Sequence, residues 1–386
     1  MTSKERFLKA LNKEKPDRLP VTTHHLMPSF LNNYMDGISE QQFFARFGLD
    51  PVKWAVASQF TPGKGEFFDP LHTKPGFLEA RRVCSDNWRF IIEKLPGHEY
   101  DTKRFNIVTP VKTLSMVLQS NEHTTWVTEH LIKDKNDIDV IAKYMTCPIC
   151  DVKEINRIAL EYDNRGLLRG HIACFEGFGQ PGCWQDFACL FGIEDLIYRT
   201  FDDPEWVHTF LGVLLERKRN FVRSLKGVKY DILELGGGDA STTVISPDIF
   251  DKFVAPYDSE LILEAHKVNQ RIVYHTCGGM MPILENIAGM NPDAMETFTP
   301  SDMGGDTRLE EAKKRIGDKV CMIGGFDQFH FFNGCTPEQT RAEVRRCFNE
   351  AGGGGGFILS PSDHFFQAEL KLIEAYADEA RKCEYR

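Results

Sequence analysis

The sequence predicts an α/β fold, a (β/α)8 TIM barrel carrying an antiparallel hairpin region inserted after its second strand. Three observations predict it. From residue 166 onward one unit recurs six times: a short apolar run, a polar or glycine-rich turn, then a helix-length amphipathic stretch. Two more apolar runs stand near the N-terminus, which brings the count to the eight a closed barrel needs. A length of 386 residues with 42% hydrophobic and 26% charged side chains suits one globular unit, 1–386, and no low-complexity linker divides it. A doubly wound open sheet is the competing arrangement.

The elements follow in order. Residues 3–12 set Phe7, Leu8 and Leu11 at helical spacing behind Ser3, a capping residue type, with Glu5 in the first turn. Residues 19–23 form a short β-branched run whose start Pro20 restricts, the first strand. Helical spacing over 28–47 leads to 51–58, where Val52, Trp54 and Val56 alternate as a second strand. Within the insertion, 60–130, residues 88–92 and 105–108 are strand-like around the turn cluster 95–98, and 125–128 adds a further strand. Residues 134–162 mix helical signals around Cys147 and Cys150, a lone Cys-x-x-Cys that reads as a pair of structural thiols. The six recurring runs are 166–175, 230–235, 271–275, 293–298, 319–323 and 356–359. Helical stretches intervene at 205–225, 247–268, 281–288, 309–316, 337–351 and 368–381. The five glycines 352–356 stop a helix before the last strand; a phosphate cradle would need them after a strand.

Charge and cysteine usage narrow the function. With 46 Lys+Arg against 56 Asp+Glu the net charge is −10, which argues against a nucleic-acid partner. Eleven scattered cysteines, no apolar leader after Met1 and no apolar run of about 18 residues point to a reducing cytoplasm and no membrane partner.

In a barrel the C-terminal strand ends face one cavity, so polar residues there converge however distant in sequence. These are His24, His25, Ser58, His171, Glu234, Asp239, His275, Cys277, Glu296, Asp327, Asp363 and His364. His275 and Cys277, two apart on an extended segment, point to the same side and suit zinc, given a further ligand and an open position. A packed thiol beside a hydrogen-bonded imidazole is the alternative. One of His24 and His25 faces the cavity and the other faces away. Glu234 and Asp239 flank a glycine turn, so that one enters the cavity while the other caps the next segment. Of the 29 phenylalanines, with doublets at 43–44, 67–68, 331–332 and 365–366, most belong to the core and a few near the mouth line an aromatic pocket.

Several of these segments together carry a family likeness: Ser246-Pro247-Asp248-Ile249-Phe250 with Ala255-Pro256-Tyr257, the His275-x-Cys277-Gly278 turn, Ile323-Gly324-Gly325-Phe326-Asp327, residues 356–364, and the opening Lys4-Glu5-Arg6-Phe7 with Pro16-Asp17-Arg18-Leu19-Pro20. In combination the chain resembles the uroporphyrinogen decarboxylase superfamily, which includes the zinc- and corrinoid-dependent methyltransferases of anaerobes. The resemblance implies a (β/α)8 barrel. The haem-pathway decarboxylase has an Arg-rich segment after its first strand and an aspartate at the end of its second. Residues 22–30 here contain no Arg and 54–58 no Asp, so a tetra-acid would lack its counter-charges.

What the resemblance implies is therefore the methyltransferase branch. There His-x-Cys supplies two zinc ligands and a cysteine in the last strand's loop the third. This chain has no cysteine at 360–364; Asp363 is the positional match, His364 its neighbour, and Glu234, Asp239 or Glu296 reach in from other strands. The expected enzyme is an O-demethylase-like methyltransferase that moves a methyl group between a small methoxylated aromatic substrate and a corrinoid cobalt. Zinc sits on His275, Cys277 and one of Asp363, His364 or Glu296; Asp239, Glu234 and His171 do the acid–base work; His24, His25, Ser58 and Phe30 meet the substrate. Few arginines and many phenylalanines favour the methoxylated aromatic over a small thiol. Because no Asp-x-His-x-x-Gly motif with a Rossmann-like half is present, the corrinoid is expected on a separate protein docked over the cavity mouth. A monomer or homodimer fits the resemblance, and a decarboxylase or lyase acting on a non-porphyrin acid is the alternative reading.

Overall fold

The computed structural model describes residues 1–71, 81–175 and 180–385. Its centre is a seven-stranded parallel sheet in the order Val52–Trp54, Leu167–His171, Ile232–Gly236, Ile272–His275, Ala294–Thr297, Cys321–Phe326 and Phe357–Pro361. Every residue of the last six strands is buried, because helices cover one face and the barrel interior the other. That two-sided burial is why these strands read as unbroken apolar runs rather than alternating ones.

The eighth place is filled differently from the expectation of a full strand. Residues 19–22 lie beside Phe357–Pro361, with Leu359 N–H donating to Pro20 and Thr22 N–H to Leu359, but Val21 makes only an isolated bridge. Pro20 has no N–H to give a ladder. Charge completes the closure. The wholly buried Asp50 carboxylate accepts from Val21 N–H at 3.1 Å, Arg6 at 2.6 Å, Arg18 at 2.9 and 3.0 Å and Ser3 Oγ at 2.8 Å, while Asp50 N–H donates to Val21 at 2.7 Å. The leading helix Ser3–Leu11, held by a Thr2–Glu5 capping box, packs Phe7, Ala10 and Leu11 against Val52, Leu167, Ile232, Ala294 and Ile358 and so plugs the N-terminal end of the barrel.

Helices form where the amphipathic spacing places them, including Pro204–Ser224, Leu309–Ile316, Pro337–Ala351 and Leu370–Lys382. The stretch 247–268 is one rod with a π-turn, Phe250–Val254, immediately before Ala255–Lys267. Pro256 has no N–H for the usual bond four residues back, and the turn widens to accommodate it. The insertion is larger than a hairpin. Arg89–Leu95, Asp101–Val108, Thr113–Ser120 and Thr125–Glu129 make a four-stranded antiparallel sheet, and Glu66–Phe68 pairs with Val83–Ser85. The helices Cys183–Phe191 and Ile193–Asp202 also lie beyond what the periodicity marked. Among the described residues no helix is long and apolar enough to cross a membrane.

Candidate active site

The C-terminal strand ends open on one cavity of about 1000 Å3. His24, His25, Ser58, His171, Glu234, Asp239, His275, Cys277, Asp363 and His364 line it from the barrel, and Arg81, Arg82, Leu118 and 121–127 line it from the insertion. The barrel thus brings together ten of the residues singled out in the sequence. Glu296 lies just beneath them, 1% exposed.

The floor is built around a residue that sequence reasoning passed over, Arg169, the third position of Leu167–His171. Its guanidinium donates from Nη1 to Glu296 Oε2 at 2.7 Å, from Nη2 to Glu296 Oε1, and from Nη2 to Glu234 Oε2 at 2.6 Å, and it sits 4.3 Å over the Trp54 ring. His275 Nδ1 lies 2.9 Å from Glu296 Oε1, and His24 Nδ1 is 3.8 Å from the other oxygen. The His24 and His275 rings stack 5.3 Å apart, and His25 lies edge-on to His24 and face to face with Trp54 at 4.4 Å.

Electrostatics sort these groups. Burial pushes Glu296 towards neutrality, but Arg169, His24 and His275 override it and hold its carboxyl well below the usual range. Burial likewise opposes charge on His275, yet the Glu234 carboxylate, the Cys277 thiol and Glu296 raise its pKa well above the usual value. Its Nδ1–H therefore goes to Glu296, and no hydrogen bond of ordinary geometry reaches Nε2, which is buried. Burial, aided by the nearby His275 and Arg169 charges, lowers His24 to about 4, so it is neutral with a lone pair to offer. Donor atoms of His24, His275 and Glu296 lie within 4.8 Å of one another, and this buried group could hold a metal ion such as zinc. A buried imidazole nitrogen without a partner is what a metal would satisfy.

The walls are held as firmly. Cys277 follows the strand Ile272–His275 in a loop braced on both sides: Thr297 Oγ1 donates to Thr276 O at 2.7 Å, Gly278 N–H to Thr299 Oγ1 at 3.2 Å and Gly279 N–H to Thr243 Oγ1 at 2.7 Å. A Cβ on Gly238 would come within 2.9 Å of Cys277 Sγ, so that glycine makes the room the thiol occupies. Asp239 follows, its Oδ2 accepting from Gln185 Nε2 at 2.7 Å and its N–H donating to Gln185 Oε1 at 2.9 Å. Burial raises its pKa, and the Gln185 bond offsets only part of the rise. His171 Nδ1–H donates to Ile172 O at 2.7 Å, which leaves its buried Nε2 without a partner. At the mouth Asp363 and His364 pair with each other at 2.7 Å; burial would raise Asp363, but His364 brings it down to about 2.

Several expectations change here. Phe30 is not at the cavity. It is fully buried, with its ring edge to Phe43 and Phe365, because its helix Pro28–Tyr34 turns that face inward. The Phe43–Phe44 and Phe365 rings are core as well, whereas the cavity has Trp54, Trp126 and Phe221 together with Arg81, Arg82 and Arg217. The cavity is thus richer in arginine and poorer in phenylalanine than composition suggested. Asp327 caps the turn Gln328–Phe331 and pairs with His330 at 2.7 Å, away from this cavity. Ser58 lies on the wall with its hydroxyl donated to Arg81 O at 3.3 Å. The signal for Arg169 was present in the sequence: a lone charge inside an apolar strand buried on both faces must find counter-ions.

Comparison with known proteins agrees with this fold. A family model described as uroporphyrinogen decarboxylase (URO-D) matches residues 177–382. Uroporphyrinogen decarboxylase of Neisseria meningitidis serogroup B is 26% identical over 197 residues, 49% of each chain. A methylated-thiol–coenzyme M methyltransferase of Methanosarcina mazei is 24% identical over 156 residues, 40% of each. The chain spans about half the length of the curated relatives it matches. The solved structure of a methyltransferase from Methanosarcina mazei superposes with a TM-score of 0.62 over 99% of both chains at 16% identity, a likeness of fold.

Proposed function

The chain belongs to the uroporphyrinogen decarboxylase family, and on that footing we propose that it is a zinc-dependent methyltransferase, moving a methyl group between a small methoxylated aromatic substrate and a corrinoid cobalt carried by a separate protein. The observation that carries the reading is the cavity floor: two stacked histidines and a carboxylate with donor atoms within 4.8 Å, and the unpartnered His275 Nε2 beside Cys277. His24, His275 and Cys277 would hold the metal, with Glu296 beside them as the partner of His275. Support also comes from the relative named as a methylated-thiol–coenzyme M methyltransferase.

When bound, zinc supplies Lewis-acid stabilisation of the oxygen or sulfur that loses or gains the methyl group, worth several kcal/mol in such sites. The chain's own residues do the rest. Asp239, kept protonated to higher pH by burial and fixed by Gln185, holds a proton for the departing heteroatom. Trp54, Val56, Leu118, Trp126 and Val127 give the substrate an apolar wall. The separate corrinoid protein docks over the mouth, between the Asp363–His364 loop and residues 121–127.

A second reading, a decarboxylase or lyase on a non-porphyrin acid, draws on Arg81, Arg82 and Arg217 at the cavity together with Asp239 as proton donor. Turnover of zinc-loaded protein with free reduced cobalamin, across methoxylated aromatics and small methyl thiols, separates the two. Methylcobalamin formation is expected. Turnover indifferent to cobalamin, with carbon dioxide released from an acid, would replace the first reading by the second.

A further inference from the structure

We propose that Arg169 is the positioning residue of the metal site: it holds Glu296 as the orienting partner of His275 and keeps that carboxylate out of the ligand set. The inference rests on the zinc reading above and refines it. Glu296 is near enough to His24 and His275 to be counted as a third ligand, so its role turns on what its two oxygens already do. Both are taken by the planar fork of Arg169, and Oε1 also accepts His275 Nδ1–H at 2.9 Å. A bidentate guanidinium fixes the plane of a carboxylate as well as its charge. Fixed in this plane, Glu296 engages His275 Nδ1 and sets the ring's orientation, so that Nε2, buried and without a hydrogen-bond partner of ordinary geometry, is the nitrogen left for a metal. An outer carboxylate of this kind sets ring orientation and donor strength in histidine–metal sites.

Two features mark Arg169 as more than a structural ion pair. Its third hydrogen bond, to Glu234 Oε2 at 2.6 Å, and the Trp54 ring at 4.3 Å clamp the guanidinium from a second strand and from below. Its Nε is buried with no hydrogen-bond partner among the described residues, so the hydrogen bonds of the guanidinium go to the two carboxylates alone. Lysine in its place would keep the charge and lose the fork.

The test uses the full chain loaded with Zn2+, its affinity measured by competition with a chromophoric chelator, and the visible absorption of the Co2+-substituted protein. Arg169→Lys should bind Zn2+ about 10- to 100-fold more weakly, the range found when outer partners of metal ligands are removed. Its Co2+ bands should change as Glu296 turns or enters the ligand set. A folded Arg169→Lys with wild-type affinity and an unchanged Co2+ spectrum would overturn the proposal. Should that variant not fold, Trp54→Leu leaves every ion pair in place and unclamps the guanidinium; weaker Zn2+ binding is expected, and unchanged binding counts against Arg169. A wild-type chain that takes up no Zn2+ defeats the zinc reading and this inference together, whereas tight wild-type binding matched by both variants defeats only the inference.

Discussion

Replacing Lys218 with Met strands a carboxylate inside the protein. Lys218 and Asp186 have side chains 1% exposed each; Lys218 Nζ donates to Asp186 Oδ2 at 2.6 Å and to Ala173 O at 2.8 Å, and Asp186 Oδ1 accepts Phe175 N–H at 2.9 Å. The pair pins the segment 173–175, of which Ala173 and Cys174 line the cavity. Removing one partner of a buried pair costs about 3–5 kcal/mol, since the other charge stays buried and uncompensated. Lys218→Met should lose that amount in urea unfolding, with an unchanged dependence on denaturant. The double variant Asp186→Asn, Lys218→Met has no charge to strand. It keeps an acceptor for Phe175 N–H and should lose only about 2 kcal/mol, the scale of one or two neutral hydrogen bonds. A single variant that loses less than about 1 kcal/mol, the scale of an exposed pair, or a double variant no better than the single, would refute the reasoning.

The remaining predictions concern pH and packing. Burial pushes the Asp258 carboxyl from 3.8 up to about 6 despite the hydrogen bond from Tyr274, so its stabilising contribution is present below about 3.8 and lost as pH rises through about 6. Relative to Asp258→Asn, wild type should therefore lose about 3 kcal/mol between pH 3 and 7.5 in urea titrations; parallel stability curves would contradict this. Phe30→Ala should cost about 3–5 kcal/mol as a core cavity and leave substrate KM unchanged, whereas a raised KM at normal stability would return Phe30 to the cavity. The Asp239 carboxyl works protonated, so kcat/KM should fall as pH rises through its elevated pKa. Asp239→Asn should erase that limb, and Gln185→Leu, which removes the bond that lowers the pKa, should move it to higher pH.

The barrel was legible because its strands are buried on both faces, so six runs between 166 and 359 could be read without knowing their partners. The insertion was less so. Thr113–Ser120 buries Leu114, Met116 and Leu118 in alternation but also Val117, and its half-buried ends blur the period. The strand-end rule located His24, His275 and Glu234 at one cavity because barrel geometry converges them regardless of sequence. It could not show that Glu296 would face Arg169, since that contact spans 127 positions and depends on strand curvature. Phenylalanine doublets misled for a related reason: in Phe365-Phe366 the first ring packs inside against Phe30 and Phe332 while the second lies tilted to His123 and edge-on to His364, and composition does not separate the two.

Metal content decides whether the cavity floor is a zinc site. Elemental analysis of the full chain, loaded with Zn2+ and dialysed, should find one equivalent per chain in wild type and none in His275→Ala, with Cys277→Ala also depleted. A wild-type protein that retains no zinc, or a His275→Ala variant that retains it fully, would contradict the account.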